Sequence, residues 1–147
     1  MATSIEQRNM ELMQTLDDAW NAQDVEVFRA RHKEDVVVRW PAQPDPTVGI
    51  EDHTAESIAF WKMSPDQQLE NRPYKVFFAA GARTCSIARY RGTMTGPMQG
   101  ADGSEPPTGK SFDVDFYTIA KWDVGQIVEE NLMYDVVTFM KQLGLGG

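Results

Sequence analysis

The sequence has little cysteine, little histidine and no long apolar segment. Cys85 is the only cysteine among 147 residues, so neither an internal disulfide nor a cysteine metal cluster can form within one chain. His32 and His53 are the only histidines, which excludes a histidine-rich metal site. No apolar run approaches the roughly 18–20 residues that a membrane-spanning helix needs. We therefore predict neither a membrane span nor a metal site.

Positive charge is also scarce relative to negative charge. The chain has 14 Lys and Arg against 22 Asp and Glu, which gives a net charge of −8. A field of that sign repels phosphate backbones and anionic lipid surfaces, so we expect neither a nucleic-acid nor a membrane partner. The opening residues 1–7 are polar and lack the apolar region of a signal peptide, so a cytoplasmic location is expected. The length fits a single domain over residues 1–147.

Helical patterns dominate the first part of the chain. Residues 4–7 have the pattern of a capping box, and the apolar residues that follow recur at helical spacing to about Ala22. Asp24 can cap a short second helix that ends near His32, where a protonated imidazole would favour the helix C-terminus. Residues 51–62 predict a third helix.

Extended patterns dominate the second part. Residues 112–122 alternate, with Phe112, Val114, Phe116 and Thr118 on one face. Strands are predicted at 35–40, 74–80, 84–93, 112–122 and 126–134, with a tight turn at 123–125 and a long loop at 95–110. A last helix follows, capped by Asp135 and stopped by Gly144.

Helices first and strands afterwards indicate an α+β fold, with the early helices covering one face of a curved antiparallel sheet. Three short helices cannot fill the whole concave face of such a sheet. We therefore predict a pocket lined by aromatic and aliphatic side chains, which is typical of a small-molecule site.

Several motifs occur together in a characteristic order. They are the run 92–96, the run 106–112, the turn and strand at 122–130, Asp135, and the C-terminal 142–145, together with the opening helix, the strand at 35–37 and the start of the third helix at 49–51. In this combination the sequence resembles the SnoaL-like polyketide cyclases, also called ester cyclases, of the nuclear transport factor 2-like superfamily.

The resemblance implies a cone-shaped α+β fold with a mixed or antiparallel curved sheet, three N-terminal helices and a short C-terminal helix. It also implies a deep hydrophobic pocket, a homodimer, and no metal or organic cofactor. Relatives bind polycyclic aromatic esters, and the cyclases close a ring by an intramolecular aldol step. That step needs a base near the carbon acid and a donor for the enolate oxygen.

The family's proton-transfer pair is replaced in this chain. Alignment through residues 125–127 and 142–144 places the family's aspartate at Leu132 and its histidine at Thr118. Neither side chain can act as a general base near neutral pH. The resemblance therefore carries the fold and the pocket, and not this catalytic pair.

Glu130 and His53 are the candidate catalytic residues. Glu130 shares strand parity with Leu132, and a carboxylate in an apolar pocket has its pKa raised by desolvation, so it could serve as acid or base. The structural alternative is an ordinary exposed or ion-paired glutamate. His53 begins the third helix and could reach the pocket mouth as a proton shuttle, although lone histidines are usually ordinary.

The remaining candidates have mainly structural interpretations. Asp135 is expected to cap the last helix rather than act chemically. Asp113 and Asp115 beside Arg89 and Arg91 resemble the arrangement of limonene-epoxide hydrolase, but cross-strand pairs of this kind are common on exposed sheets. The expected pocket and substrate-binding residues are Trp40, Tyr74, Tyr90, Phe116, Thr118 and Leu132.

These features favour a cofactor-independent enzyme of the cyclase, isomerase or dehydratase type, acting by acid–base chemistry on a hydrophobic, cyclic or polyketide-like molecule. Three alternatives stay open: a non-catalytic carrier using the same pocket, an epoxide-hydrolase-like hydrolase, and an interaction domain that dimerises through the open sheet face. Two polar groups converging on the cavity would favour an enzyme, and a wholly apolar lining would favour a carrier.

Overall fold

The fold is a curved sheet with helices on its concave side. The computed structural model describes residues 3–100 and 103–146, which form four helices and nine strands. The helices are α1 (Ser4–Ala22), α2 (Val25–Ala30), α3 (Ile50–Met63) and α4 (Val136–Gln142). The strands are β1 (His32–Arg39), β2 (Thr47–Val48), β3 (Gln68–Leu69), β4 (Val76–Ala80), β5 (Arg83–Thr93), β6 (Met98–Gly100), β7 (Gly103–Glu105), β8 (Ser111–Asp123) and β9 (Gln126–Met133).

Seven strands form one mixed sheet, which confirms the α+β class. Their order is β2-β1-β9-β8-β5-β3, and β4 also pairs with β5. β1 and β9 run parallel, and the other pairs are antiparallel. The loop predicted at 95–110 contains a short separate hairpin, β6–β7. No helix in the two described ranges is long and apolar enough to cross a membrane.

The helix caps agree with the sequence in all but one position. Asp24 and Asp135 each accept a hydrogen bond from the backbone N–H three residues further on, at 3.2 and 3.0 Å, as predicted. The capping box of α1 begins at Thr3 instead of Ser4. Thr3 accepts from the Glu6 backbone at 3.1 Å, and the Glu6 carboxylate accepts from the Thr3 N–H at 2.8 Å. The register of the box is therefore displaced by one residue.

His32 is the first residue of β1, and not the end of the second helix as predicted. The helix ends at Ala30, and His32 pairs with Ile127 of β9 in the parallel ladder. Pairing with a buried neighbouring strand outweighs the weak tendency of a six-residue helix to continue. As a result, the His32 side chain lies inside the protein, with only 2% of the residue exposed.

A bulge in β9 brings an additional residue to the concave face. Trp122 of β8 pairs with Ile127, but the next pair along the ladder uses Glu129, which leaves Val128 as an extra residue. Because of this insertion, Ile127 and Glu130 are both buried although they are an odd number of positions apart.

Aromatic side chains fill much of the cone. The ring of Trp20 on α1 lies 5.4–6.3 Å, centroid to centroid, from the rings of Phe28, Phe60, Trp61 and Tyr90. Contacts of this kind contribute beyond their buried area. Aromatic residues of the three helices therefore occupy part of the concave face.

Candidate functional site

An inner and an outer cavity share one lining residue. The inner cavity has a volume of about 40 Å³, which is room for water molecules only. The outer cavity, at the mouth between α3, β6 and α4, has a volume of about 380 Å³ and is large enough for a small organic ligand. The space of ligand size is thus the outer cavity.

Trp40 borders both cavities. Its indole is stacked on Phe60 at 5.5 Å and lies edge-on to Phe116 at 6.2 Å. Phe116 in turn is stacked on Tyr134 at 5.6 Å. These four rings form the wall between the inner and the outer cavity, and we call them the aromatic wall.

Five of the six predicted pocket residues line the inner cavity, namely Trp40, Tyr90, Phe116, Thr118 and Leu132. Thr118 and Leu132 are cross-strand partners, so the two positions of the family's proton-transfer pair do face the cavity. The sixth, Tyr74, lies behind this lining and contacts Asp17.

His53 and Glu130 also line the inner cavity, and they contact each other. His53 Nε2 lies 3.1 Å from Glu130 Oε1, and His32 Nε2 lies 3.5 Å from the same oxygen. All three residues are at most 3% exposed. His53 is therefore deep in the protein instead of at the pocket mouth, and Glu130 belongs to a buried polar cluster.

Glu56 connects this cluster to the outer cavity. Its Oε2 accepts hydrogen bonds from His53 Nδ1 at 2.7 Å and from the Trp40 indole N–H at 2.6 Å. Its Oε1 accepts from the Thr47 hydroxyl at 2.7 Å. Because Glu56 also lines the outer cavity, an unbroken hydrogen-bonded path runs from there to the buried His53.

The charge states of the cluster differ from the sequence expectation. Burial alone would raise the pKa of Glu130, but the two nearby imidazoles outweigh burial and hold that pKa well below its usual value. Burial alone would lower the pKa of His53, but hydrogen bonds to Glu130 and Glu56 raise it to about 9. The prediction of a raised pKa at Glu130 is therefore wrong, because the carboxylate is paired.

Asp17 is a buried carboxyl group on α1 that the sequence analysis missed. It lines the inner cavity together with His53 and Glu130, and it is 7% exposed. Burial raises its pKa from 3.8 to about 7, against the opposing effect of a 2.5 Å hydrogen bond from the Tyr74 hydroxyl. Asp17 is thus the carboxyl group of the cavity that exchanges its proton near neutral pH.

A signal for Asp17 was present in the sequence. Asp17 lies four residues after Met13 and three before Trp20, which places it on the apolar face of α1. A carboxylate on the buried side of an amphipathic helix is uncommon unless it is paired or functional. The pairing with Tyr74, 57 residues away, could not be read from that spacing.

The acidic pair on β8 is exposed. Asp113 makes a bidentate ion pair with Arg89, and Asp115 pairs with Lys75. These side chains alternate with the buried residues of β8 and lie on the outer face of the sheet. Neither aspartate lines either cavity.

Comparison with known proteins agrees with this architecture. A profile of the SnoaL-like polyketide cyclase family matches residues 10–143. The chain belongs to the SnoaL-like polyketide cyclase family. A search of curated protein sequences finds no match.

Solved structures of several proteins share the fold of this SnoaL-like chain. A SnoaL-like protein from Jannaschia sp. CCS1 is 24% identical, with 97% of this chain and 96% of that chain covered and a TM-score of 0.86. IdmH from Streptomyces antibioticus is also 24% identical, with coverages of 92% and 98% and a TM-score of 0.76. A protein from Catenulispora acidiphila with a ketosteroid isomerase-like fold is 16% identical, with coverages of 92% and 93% and a TM-score of 0.74.

This member of the SnoaL-like family carries its ionisable groups at other places than the pair inferred from the family. Thr118 and Leu132 occupy the aligned sites on β8 and β9. The ionisable groups around the cavity are instead Asp17 on α1, His53 on α3 and Glu130, two residues before Leu132. Two of these three groups are therefore on helices and one is on the sheet.

Proposed function

We propose that this protein is a small-molecule enzyme that transfers a proton to or from a carbon atom of a hydrophobic, cyclic or polyketide-like substrate, as in cyclisation or isomerisation. The observation that carries the proposal is Asp17, a carboxyl group with a pKa of about 7 that lines an otherwise largely apolar cavity. A group whose pKa is near the working pH is the most effective general acid or base. The family of the chain supports cyclase-type chemistry.

Asp17 is suited to take the proton. In its ionised form it accepts the proton from a carbon next to a carbonyl group, and the hydrogen bond from Tyr74 holds the carboxylate in place. Tyr74 is thus a positioning residue. His53 lines the same cavity, and with its raised pKa it places a positive charge beside the developing enolate.

The outer cavity is suited to the body of the substrate. Its lining includes aromatic and thioether side chains, which adapt well to flat apolar rings. They are Trp40, Phe60, Met98, Tyr134, Phe139 and Met140. Because the inner cavity has a volume of only about 40 Å³, side chains that line it must move before the reacting end of the substrate reaches Asp17.

The non-catalytic carrier is the second candidate, and the replaced pair at Thr118 and Leu132 is the observation in its favour. A carrier needs no ionisable groups around its ligand. Asp17, His53 and Glu130 converge on the inner cavity, which favours the enzyme. The epoxide-hydrolase alternative loses its support, because Asp113 and Asp115 lie on the outer face of the sheet.

Deuterium exchange tests the proposal. The protein is incubated in D₂O with cyclic and aromatic β-keto esters, and incorporation of deuterium beside the carbonyl is followed by NMR. We expect Asp17→Asn to reduce exchange by about 10²–10⁴-fold while ligand binding is retained. Asp52→Asn, at an exposed position on α3, is the matched control and should not change exchange. Equal exchange by the Asp17 variant and the wild type would overturn the proposal.

We further propose that the protein is a homodimer joined through the outer face of the sheet. Exposed apolar residues form two rows there, aligned by strand register across β4, β5, β8 and β9. One row contains Val76, Ile87, Tyr117 and Met133, and the other contains Phe78, Cys85 and Ile119. Apolar residues that adjoin one another on a surface are typical of a protein interface. The cytoplasmic location predicted from the sequence stays a prediction.

A further inference from the structure

We propose that His32, His53 and Glu130 form a binding site for a divalent first-row transition-metal ion. One ligand atom from each residue lies within 4.8 Å of the others, and all three residues are buried. The prediction of no metal site came from counting histidines. Two imidazoles and one carboxylate are nevertheless a complete ligand set for such ions.

The distances between the ligand atoms fit a metal ion. Zinc–nitrogen and zinc–oxygen bonds are about 2.0–2.2 Å long, so two ligand atoms of a tetrahedral site lie about 3.3 Å apart. The two imidazole nitrogens lie 3.1 and 3.5 Å from Glu130 Oε1. The two nitrogens lie within 4.8 Å of each other, so side-chain shifts would bring all three atoms to a common cation.

In both imidazoles, Nδ1 already has a hydrogen-bond partner. His32 Nδ1 lies 2.7 Å from the carbonyl oxygen of Phe28 and must donate to it, because a carbonyl can only accept. His53 Nδ1 lies 2.7 Å from the carboxylate of Glu56. Histidines that bind metals almost always donate their second nitrogen to a carbonyl or a carboxylate in this way.

His32 Nε2 has no hydrogen-bond partner among residues 3–100 and 103–146, although it is fully buried and directed at Glu130. Because Nδ1 is engaged by the Phe28 carbonyl, Nε2 is the His32 atom that can bind a cation. A cation between the two groups satisfies both. Glu130 and Glu56 supply negative charge to balance it.

The surroundings of the cluster also suit a metal. His32 and Glu130 lie on the paired strands β1 and β9, and His53 lies in the first turn of α3, so regular elements hold all three. The adjoining inner cavity of about 40 Å³ has room for a water molecule as a fourth ligand.

A chemical role for the cation rests on the proposed function, whereas its binding does not. A cation held by His32, His53 and Glu130 would polarise the substrate carbonyl in place of the His53 charge, with Asp17 taking the proton from the adjacent carbon.

X-ray absorption at the zinc edge tests the site directly. The untagged protein is treated with EDTA, dialysed and loaded with one equivalent of Zn²⁺. We expect stoichiometric uptake and a spectrum with two imidazole ligands. Because the chain has only two histidines, that number identifies His32 and His53 without any variant. No uptake by the folded wild type, or fewer than two imidazoles, would overturn the proposal.

Co²⁺ titration with variants provides the second test. We expect a visible absorption band in the wild type that is lost in Glu130→Gln and retained in the control Glu129→Gln, which changes an exposed neighbour on the same strand. Glu56→Gln should weaken Co²⁺ binding about 10–100-fold, as expected for a group that orients a ligand. Equal binding by Glu130→Gln and Glu129→Gln would refute the site. If the Glu130 variant does not fold, the wild-type zinc spectrum decides.

Metal binding and deuterium exchange report separately on the two proposals. Zinc bound by two imidazoles without any exchange activity would refute the enzyme and leave the metal site standing. If the protein takes up no Zn²⁺ or Co²⁺ but shows exchange that depends on Asp17, the metal site is refuted and the enzyme stands.

Discussion

The hydroxyl of Tyr74 donates a 2.5 Å hydrogen bond to Oδ2 of Asp17 in the interior of the protein. The bond joins the middle of α1 to the segment before β4. It lowers the pKa of Asp17, whereas burial, which is the larger effect, raises it. The balance of these two effects places the pKa of Asp17 at about 7. A change in the burial of Asp17 or in this hydrogen bond therefore changes its ionised fraction at neutral pH.

Removing the Tyr74 hydroxyl should shift the pH dependence of activity upward. In Tyr74→Phe, burial of Asp17 is no longer opposed by this hydrogen bond, so we expect the pKa of Asp17 to rise above 7. The pH dependence of deuterium exchange, or NMR titration of the Asp17 carboxyl carbon, measures the shift. Tyr117→Phe, which removes an exposed hydroxyl on the outer face, should leave the midpoint unchanged. A downward shift in Tyr74→Phe would contradict the assignment.

Asp17 should make the fold less stable at high pH. The folded protein binds a proton at Asp17 up to about pH 7, while the unfolded chain releases it near pH 3.8, so the free energy of unfolding falls as the pH rises between these values. One pKa unit corresponds to about 1.4 kcal/mol, so the full loss is on the order of 4 kcal/mol.

Urea unfolding of the wild type and of Asp17→Asn at pH 4.5 and pH 8 measures this contribution. The neutral asparagine carries no such penalty, so we expect the stability of the variant relative to the wild type to increase from pH 4.5 to pH 8. A difference between the two proteins that is the same at both pH values would show that Asp17 titrates normally.

Loss of the Glu130 carboxylate should destabilise the protein strongly. In Glu130→Ala, the buried His53 loses its buried partner, and breaking a buried ion pair in this way costs about 3–5 kcal/mol. Glu129→Ala removes an exposed pair with Arg39 and should cost no more than about 1 kcal/mol. Urea unfolding at pH 7 compares the two variants, and similar losses would contradict the buried cluster.

A charge in the apolar rows of the outer face should separate the proposed dimer. Ile119 belongs to one of the two rows and is 44% exposed, so Ile119→Lys would bury an ammonium group in the interface. Sedimentation at micromolar concentration should show a dimer for the wild type and a monomer for this variant. Val137→Lys, at an exposed position on α4, should remain dimeric. A monomeric wild type would contradict the proposed assembly.

Local patterns predicted most of the fold, because they reflect local physics. The alternation of Phe112, Val114, Phe116 and Thr118 is seen as burial on one face of β8, and the predicted caps at Asp24 and Asp135 form. The glycines at 92 and 96, part of the motif behind the family resemblance, lie where a side chain would collide with Ser64 and with the Lys62 carbonyl.

The site was less accessible to prediction, because its contacts join distant parts of the chain. His32 was expected in a helix, and its place beside Glu130 depends on the pairing of β1 with β9. Glu130 shares its face with Ile127 only because of the bulge at Val128. The charge of Glu130 is set by partners about 80–100 positions away in the sequence. The sequence predicted the burial of Glu130 but could not show that two histidines lie beside it, so the predicted rise in its pKa was wrong.

The parallel pairing of β1 with β9 also has a consequence for synthesis of the protein on the ribosome. β1 ends at Arg39, but the strand that completes its hydrogen bonding on one side is not made until Met133. Until then, only the two-residue strand β2 borders β1, and an edge that contains the apolar residues 36–38 stays open to neighbouring polypeptides. Slow translation or crowding of nascent chains should therefore favour aggregation through β1, and a chaperone that shields this edge would raise the yield of folded protein.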